Sequence, residues 1–91
     1  MIAKRLTLSG AVQGVGFRDW IIGRARSLGL AGWVRNRSDG TLETLIAGEA
    51  SAVEELVRAC RCGPPGADVR DIAEDLVDPP TDPGFIRRPT L

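Results

Sequence analysis

The decisive stretch of this sequence is Val12-Gln13-Gly14-Val15-Gly16-Phe17-Arg18, which stands between a predicted strand and a predicted helix. Because glycine has no Cβ, it tolerates the backbone angles that turn successive N–H groups toward one point. Such N–H groups form an anion-binding nest, and the start of a helix adds partial positive charge. An arginine beside the nest supplies a planar, charged donor fork that matches phosphate oxygens. The stretch therefore predicts a phosphate-binding loop, although Gly-x-Gly turns also occur as plain connectors.

The residues around this loop predict a strand before it, a helix after it and then a pair of strands. Polar and apolar residues alternate over residues 3–11, which is typical of a half-buried strand. From residue 17 the apolar residues follow a helical period up to the stop signal at Gly29, and one helix face is formed by Phe17, Ile21, Ala25 and Leu28. Residues 31–36 and 41–47 read as two strands joined by a turn.

The second half of the chain predicts another helix, a segment that fits either a helix or a strand, and a short last strand. Ser51-Ala52-Val53-Glu54 has the pattern of a capping box, which predicts a helix start, and Gly63-Pro64-Pro65-Gly66 ends that helix. Residues 67–78 have helical spacing and poor strand alternation, so the local pattern favours a helix there. Residues 85–88 predict a short last strand. If the segment 67–78 is a strand instead, the order of elements becomes βαββαβ.

Length and composition point to one domain, which we expect to span residues 1–91. Hydrophobic residues make up 43% of the chain, and no apolar run approaches the ~18 residues that a membrane span needs. The N-terminal residues lack the apolar segment of a signal peptide, so we expect a cytoplasmic protein without a membrane partner. The net charge is zero, but residues 1–40 carry seven basic and two acidic side chains, which suits a small anionic ligand.

The sequence contains no histidine, which removes the usual general base near neutral pH and the usual metal ligand. Cys60 and Cys62 are separated by one residue, a spacing that fits neither a redox motif nor a zinc site. A disulfide between them would be strained. We therefore expect two reduced thiols, in keeping with a reducing compartment.

A second stretch, Gly32-Trp33-Val34-Arg35-Asn36 followed by Gly40, places an asparagine at the end of a predicted strand. An asparagine there most often supports the turn through its own hydrogen bonds, and the alternative is that its amide holds a water in a neighbouring site. Together with the first stretch, extended back to Leu8 and Gly10, it resembles the two motifs of the acylphosphatase family. The resemblance continues through residues 63–65 and covers roughly residues 4–86.

This resemblance implies an α+β fold, a ferredoxin-like βαββαβ sandwich with two helices on one face of an antiparallel sheet. Residues 67–78 then become the fourth strand. The resemblance also implies hydrolysis of acyl phosphates to carboxylate and inorganic phosphate, without a metal or an organic cofactor. Arg18 matches the family's phosphate-binding arginine, and Asn36 matches the asparagine that positions the attacking water. The backbone N–H groups that would surround the phosphate belong to Gly14, Val15, Gly16, Phe17 and Arg18.

Other residues near the two motifs are predicted to be structural. We expect the rings of Phe17 and Trp33 to pack in the core, whereas Trp20 fits either the core or the ligand. Gln13 is a candidate brace of the loop. The arginines predicted to lie on solvated surfaces are Arg24, Arg26, Arg35 and Arg37.

The C-terminus departs from the family pattern, and two other functions remain open. Family members usually end in Phe-x-Ile or Phe-x-Val, where this chain has Phe85-Ile86-Arg87, so we expect a shorter or differently placed last strand. A phosphate- or carbamoyl-phosphate-binding module without turnover is one alternative. An RNA-binding domain is disfavoured because the chain has only four aromatic residues, none of them in an RNA-binding signature. We expect a monomer that acts on a small-molecule acyl phosphate and binds no nucleic acid.

Overall fold

The computed structural model describes all 91 residues, which form five strands and two helices. Along the chain these elements are β1 (Ile2–Ala11), α1 (Phe17–Ser27), β2 (Ala31–Asn36), β3 (Leu42–Gly48), α2 (Ala50–Cys62), β4 (Asp68–Leu76) and β5 (Phe85–Arg87). Both helices pack against the same core cluster and therefore cover one face of the sheet. Neither helix combines the length and apolar character that crossing a membrane would require.

The sheet has the strand order β4-β1-β3-β2-β5. The first four strands pair antiparallel throughout, which confirms the predicted ferredoxin-like βαββαβ arrangement. The fifth strand adds a parallel pairing with β2 at the edge, in register Gly32↔Phe85, Trp33↔Ile86 and Val34↔Arg87. Because parallel strands run in one direction, the carboxyl ends of β2 and β5 meet at the same edge of the sheet. This pairing gives the short last strand its position.

The core lies between the sheet and the two helices. Leu6 and Leu8 of β1 and Val34 of β2 are fully buried on the helix-covered face, where they meet Phe17 and Ile21 of α1. Side chains alternate between the faces of a strand, so the residue two positions after Val34 shares its face. Asn36 is therefore directed to the helix-covered side at the end of β2.

Residues 68–76 form a strand, as the family resemblance implied, and the local prediction of a helix over 67–78 is wrong. β4 pairs with β1 along its length, and only Val69 and Ile72 of this strand pack against the core. The local pattern misleads because an edge strand with few buried side chains shows little alternation. The two strands approach so closely at Gly10 that a Cβ there would lie 2.2 Å from the carbonyl oxygen of Asp68.

The predicted capping box at the second helix is also wrong. Helix α2 begins at Ala50 with Glu49 at its N-cap, and no side chain caps it. Ser51 already lies inside the helix. The Glu54 carboxylate instead pairs with the Lys4 ammonium of β1 at 2.6 Å. An interaction between elements has replaced the local hydrogen bond that the sequence pattern predicts.

Both cysteines are free, Cys60 buried and Cys62 exposed. Burial raises the pKa of the Cys60 thiol to about 12. Because the thiolate is the reactive form, Cys60 is an inert part of the core at neutral pH.

Candidate active site

The loop before helix α1 has the conformation of an anion nest. Gly14 and Gly16 have φ values of 73° and 78°, and Val15 between them has a negative φ, as no non-glycine residue of the chain has a positive one. Such alternation turns successive backbone N–H groups toward one side. Gly16 is the N-cap of α1 in the left-handed region, and the first N–H groups of the helix have no helical partner. Backbone donors and the positive end of the helix therefore converge at this loop.

A cavity of about 110 Å³ lies against this nest and brings the two sequence motifs together. Its lining residues are Val12, Gly14, Gly16, Phe17, Arg18, Asp19, Asn36 and Arg87. Of the predicted binding residues only Val15 is missing from this wall, because its side chain packs against the core cluster. Because the side chain packs there, the backbone N–H is the group through which Val15 can contribute to anion binding.

Arg18 lies on the first turn of α1 and is partly buried in the cavity wall. Its guanidinium forms no salt bridge or hydrogen bond within the protein, in contrast to the eight other basic residues that form salt bridges or side-chain hydrogen bonds. Arginine offers five N–H donors in a fixed plane. Arg18 is thus a free, permanently charged donor at the helix start.

Asn36 closes the cavity from the end of β2. Its backbone pairs with Leu42 of β3, and its carbonyl oxygen accepts the N–H of Leu91 at 3.1 Å. The side-chain Oδ1 is buried and has no hydrogen-bond partner. A buried acceptor without a partner costs about 1–3 kcal/mol. Such an atom on the wall of a polar cavity is a suitable acceptor for a water molecule.

Gln13 joins the loop to the turn that follows Asn36. Its Nε2 donates to the carbonyl oxygens of Arg37 and Thr41, both at 2.8 Å. One side-chain amide therefore fixes the two motifs relative to each other, in agreement with the predicted bracing role.

Arg35 and Arg37, on either side of Asn36, are directed away from the cavity. The buried Glu43 carboxylate accepts a hydrogen bond from Arg35 Nε at 2.7 Å, and an Arg37 nitrogen lies 3.4 Å from the same oxygen. The predicted solvated face is in fact an ion-pair cluster. Trp33 is buried on that face between the guanidinium groups of Arg35 and Arg88, each 4.8 Å from its ring centroid.

The remaining aromatic residues of α1 are structural. Phe17 is buried in the core, as predicted, and meets Trp20 edge to face at 5.3 Å. Trp20 packs partly against the core and does not line the cavity, and Arg24 lies over its ring. Arg26 is exposed, but it donates to the Phe85 carbonyl oxygen at 3.0 Å and so ties α1 to β5.

Comparisons with known proteins identify the family of this chain. A sequence model of the family described as Acylphosphatase matches residues 4–86. The chain is 70% identical over 90 residues to an acylphosphatase from Acidiphilium cryptum (strain JF-5), and this alignment covers 99% of each chain. The chain belongs to the acylphosphatase family.

Solved structures of this family share the fold. The acylphosphatase from Bacillus subtilis superposes with a TM-score of 0.91 at 36% identity, covering 97% of this chain and 99% of that chain. Full-length HypF in its phosphate- and nucleotide-bound form superposes with a TM-score of 0.89 at 28% identity, covering 98% of this chain but 12% of that much longer one. The same domain thus occurs both by itself and as a small part of a large protein.

Two charged residues of the cavity were not predicted as site residues. Asp19 follows Arg18 directly on α1, and Arg87 comes from β5. The Arg87 guanidinium donates a hydrogen bond to the Asp19 carboxylate across the cavity wall. The position of Asp19 beside Arg18 was available as a sequence signal. Arg87 was noted in the sequence only as a departure from the family's C-terminal pattern, which did not place it at the cavity, because its position depends on the parallel pairing of β5 with β2.

Proposed function

We propose that this acylphosphatase-family chain hydrolyses the carboxyl–phosphate bond of small-molecule acyl phosphates by direct attack of water on phosphorus. The observation that carries the proposal is the pairing of two unpartnered groups on one cavity wall. The Arg18 guanidinium has no protein partner, and neither has the buried Asn36 Oδ1. A cation for the phosphate and an acceptor for the water thus flank the same space.

The phosphoryl group would be held by the backbone N–H groups of residues 14–18 together with Arg18. Hydrolysis of an acyl phosphate mainly requires that the protein position the reacting groups and stabilise the charge on the phosphoryl oxygens. Donors that are fixed before the reaction supply that stabilisation without reorganisation. A loop held by two left-handed glycines and braced by Gln13 is such a preorganised donor set.

Asn36 would orient the nucleophile. Its Oδ1 would accept a hydrogen bond from the water, which leaves a lone pair of the water oxygen free to face phosphorus. The water oxygen then bonds to phosphorus while the bond to the acyl oxygen breaks, and the electron pair leaves on the carboxylate. One water proton stays on the new P–O–H group, and the other passes to a phosphoryl oxygen, giving carboxylate and dihydrogen phosphate. A carboxylate leaves readily without a proton donor, so the absence of histidine is no obstacle.

We further propose that residues 1–91 form a single acylphosphatase-like domain that acts as a monomer in the cytoplasm, without a nucleic-acid partner. One core cluster that joins both helices to the sheet supports the single domain. Two free cysteines suit a reducing compartment. Light scattering of the purified chain tests the monomer, and a dimer at micromolar concentration would contradict it.

The likeness to a small part of phosphate- and nucleotide-bound HypF favours a second candidate function. In that case the same cavity would hold phosphate or carbamoyl phosphate without useful turnover. Binding and catalysis need the same nest and the same arginine, so the distinction rests on turnover.

The test is hydrolysis of benzoyl phosphate in water enriched in ¹⁸O. Direct attack on phosphorus should place the label in inorganic phosphate and leave benzoate unlabelled. Label in benzoate would mean attack at the carbonyl carbon and would overturn the proposed mechanism. Phosphate binding without acceleration of hydrolysis would support the binding module instead.

A further inference from the structure

We propose that Arg87 is a second phosphate-binding arginine of this cavity, held in place by Asp19. This assignment takes the identity of the substrate from the proposed function. The binding of inorganic phosphate tests the role of Arg87 separately from hydrolysis. The ligand group is the phosphoryl dianion that the nest and Arg18 would hold.

The fold brings Arg87 to the cavity by an arrangement outside the two motifs. Phe85 anchors β5 in the core at 1% exposure, and the Arg88 N–H donates to the Val34 carbonyl oxygen at 2.9 Å. Arg87 pairs with Val34 and lies two residues after Phe85, so it shares the helix-covered face of the sheet. This chain places a guanidinium on the wall that also carries Arg18.

The contact with Asp19 leaves Arg87 free to bind an anion. The two side chains are 43% and 79% exposed, and ion pairs between exposed side chains contribute little to stability. A single nitrogen of Arg87 meets the carboxylate. A guanidinium carries five N–H donors, so others remain for phosphate oxygens while Asp19 keeps the side chain oriented.

A narrower role for Arg87 must be separated from this one. Asp19 is a carboxylate on the wall of an anion site, and it would repel a phosphoryl dianion if its charge were not compensated. Arg87 would then serve only to neutralise Asp19. The two roles differ in what happens when Asp19 has no charge.

The first measurement compares Arg87→Gln with the wild type. We expect inorganic phosphate to bind about tenfold more weakly and the KM for benzoyl phosphate to rise by a similar factor, with the loss in KM rather than in kcat. Arg88→Gln is the matched control, because it removes one positive charge at the neighbouring residue. The Arg88 side chain lies over Trp33 and outside the cavity. An equal loss in both variants would reduce the effect to net charge and overturn the proposal.

The decisive measurement compares Asp19→Asn with the double variant Asp19→Asn/Arg87→Gln, using NMR titration of the backbone amides with inorganic phosphate. We expect the double variant to bind phosphate at least about fivefold more weakly than the single variant. Equal affinities would show that Arg87 only compensates Asp19. If the wild type binds phosphate through Arg87 but does not hydrolyse benzoyl phosphate, the proposed function fails and this assignment stands. Thermal unfolding confirms that each variant is folded.

Discussion

The cavity has two walls that are built in different ways. The nest wall comes from one continuous stretch, residues 14–18, and its shape is set by two left-handed glycines and a helix start. The strand wall is formed by Asn36 and Arg87, which meet only because β5 pairs parallel with β2. The first wall is a local property of the sequence, whereas the second exists only in the folded sheet. The tasks that we propose for the walls also differ, since the nest would supply donors to an anion and Asn36 would supply an acceptor to a water.

The largest effect should come from removing the charged side chain of the nest wall. We expect Arg18→Ala to lower kcat/KM for benzoyl phosphate about a thousandfold or more, because a preorganised donor to the transition state is lost. Arg18→Lys should fail nearly as badly, since a point charge cannot reproduce the planar fork.

Arg24→Ala is the control for this prediction, because Arg24 lies on the same helix over Trp20 and outside the cavity. It should keep near-normal kcat/KM in the same assay. Hydrolysis by Arg18→Lys at close to the wild-type rate would contradict the role given to the guanidinium.

The next largest effect should come from the strand wall and should differ in kind. We expect Asn36→Ala to lower kcat about a hundredfold, because the water loses its acceptor, while phosphate binding changes by no more than about threefold. The Asn36 Oδ1 has no protein partner, so no hydrogen bond is lost from the fold. Steady-state kinetics with inorganic phosphate as competitive inhibitor separates the two quantities. Equal losses in both would mean that Asn36 supports the nest rather than the water.

The same difference between the walls explains which parts of the site could be predicted from the sequence and which could not. The Gly-x-Gly loop, the start of α1 at Phe17 and the position of Asn36 follow from neighbouring residues, and the structure has all three as expected. The place of Arg87 does not follow, because it depends on a pairing between strands that are far apart in the sequence. The prediction of a cap at Ser51 was wrong for a related reason, because the Glu54 carboxylate forms an ion pair with Lys4 of β1, which is distant in the sequence.

A smaller effect should follow from changing the conformation of the nest rather than its charge. At Gly16 an added Cβ would meet nothing within 4 Å, so Gly16→Ala suffers only from its φ of 78°. We expect the free energy of unfolding to fall by about 1–2 kcal/mol, with a loss of kcat/KM as the nest distorts.

Gly23→Ala is the matched control inside the same helix. An added Cβ also meets open space there, but Gly23 does not have a positive φ. Alanine should therefore raise the free energy of unfolding by about 0.5–1 kcal/mol and leave kcat/KM unchanged. Urea unfolding measures both variants. If Gly16→Ala were as stable and active as Gly23→Ala, the glycine at the N-cap would not be needed for the nest.

The smallest effect should come from a part of the molecule that belongs to neither wall. The Lys4 ammonium holds the pKa of the Glu54 carboxyl below its usual value, so this pair stabilises the fold above the unfolded pKa. The contribution is lost as the pH falls through the folded pKa. Glu54→Gln should therefore lower the Tm slightly at neutral pH, and the difference from wild type should vanish in acid. Glu55→Gln, whose carboxylate forms no ion pair, should show no such pH dependence, and both variants should keep wild-type kcat/KM because their side chains lie outside the cavity. A difference in Tm that persists at acid pH would show that packing of the Glu54 side chain, rather than its charge, holds α2 against β1.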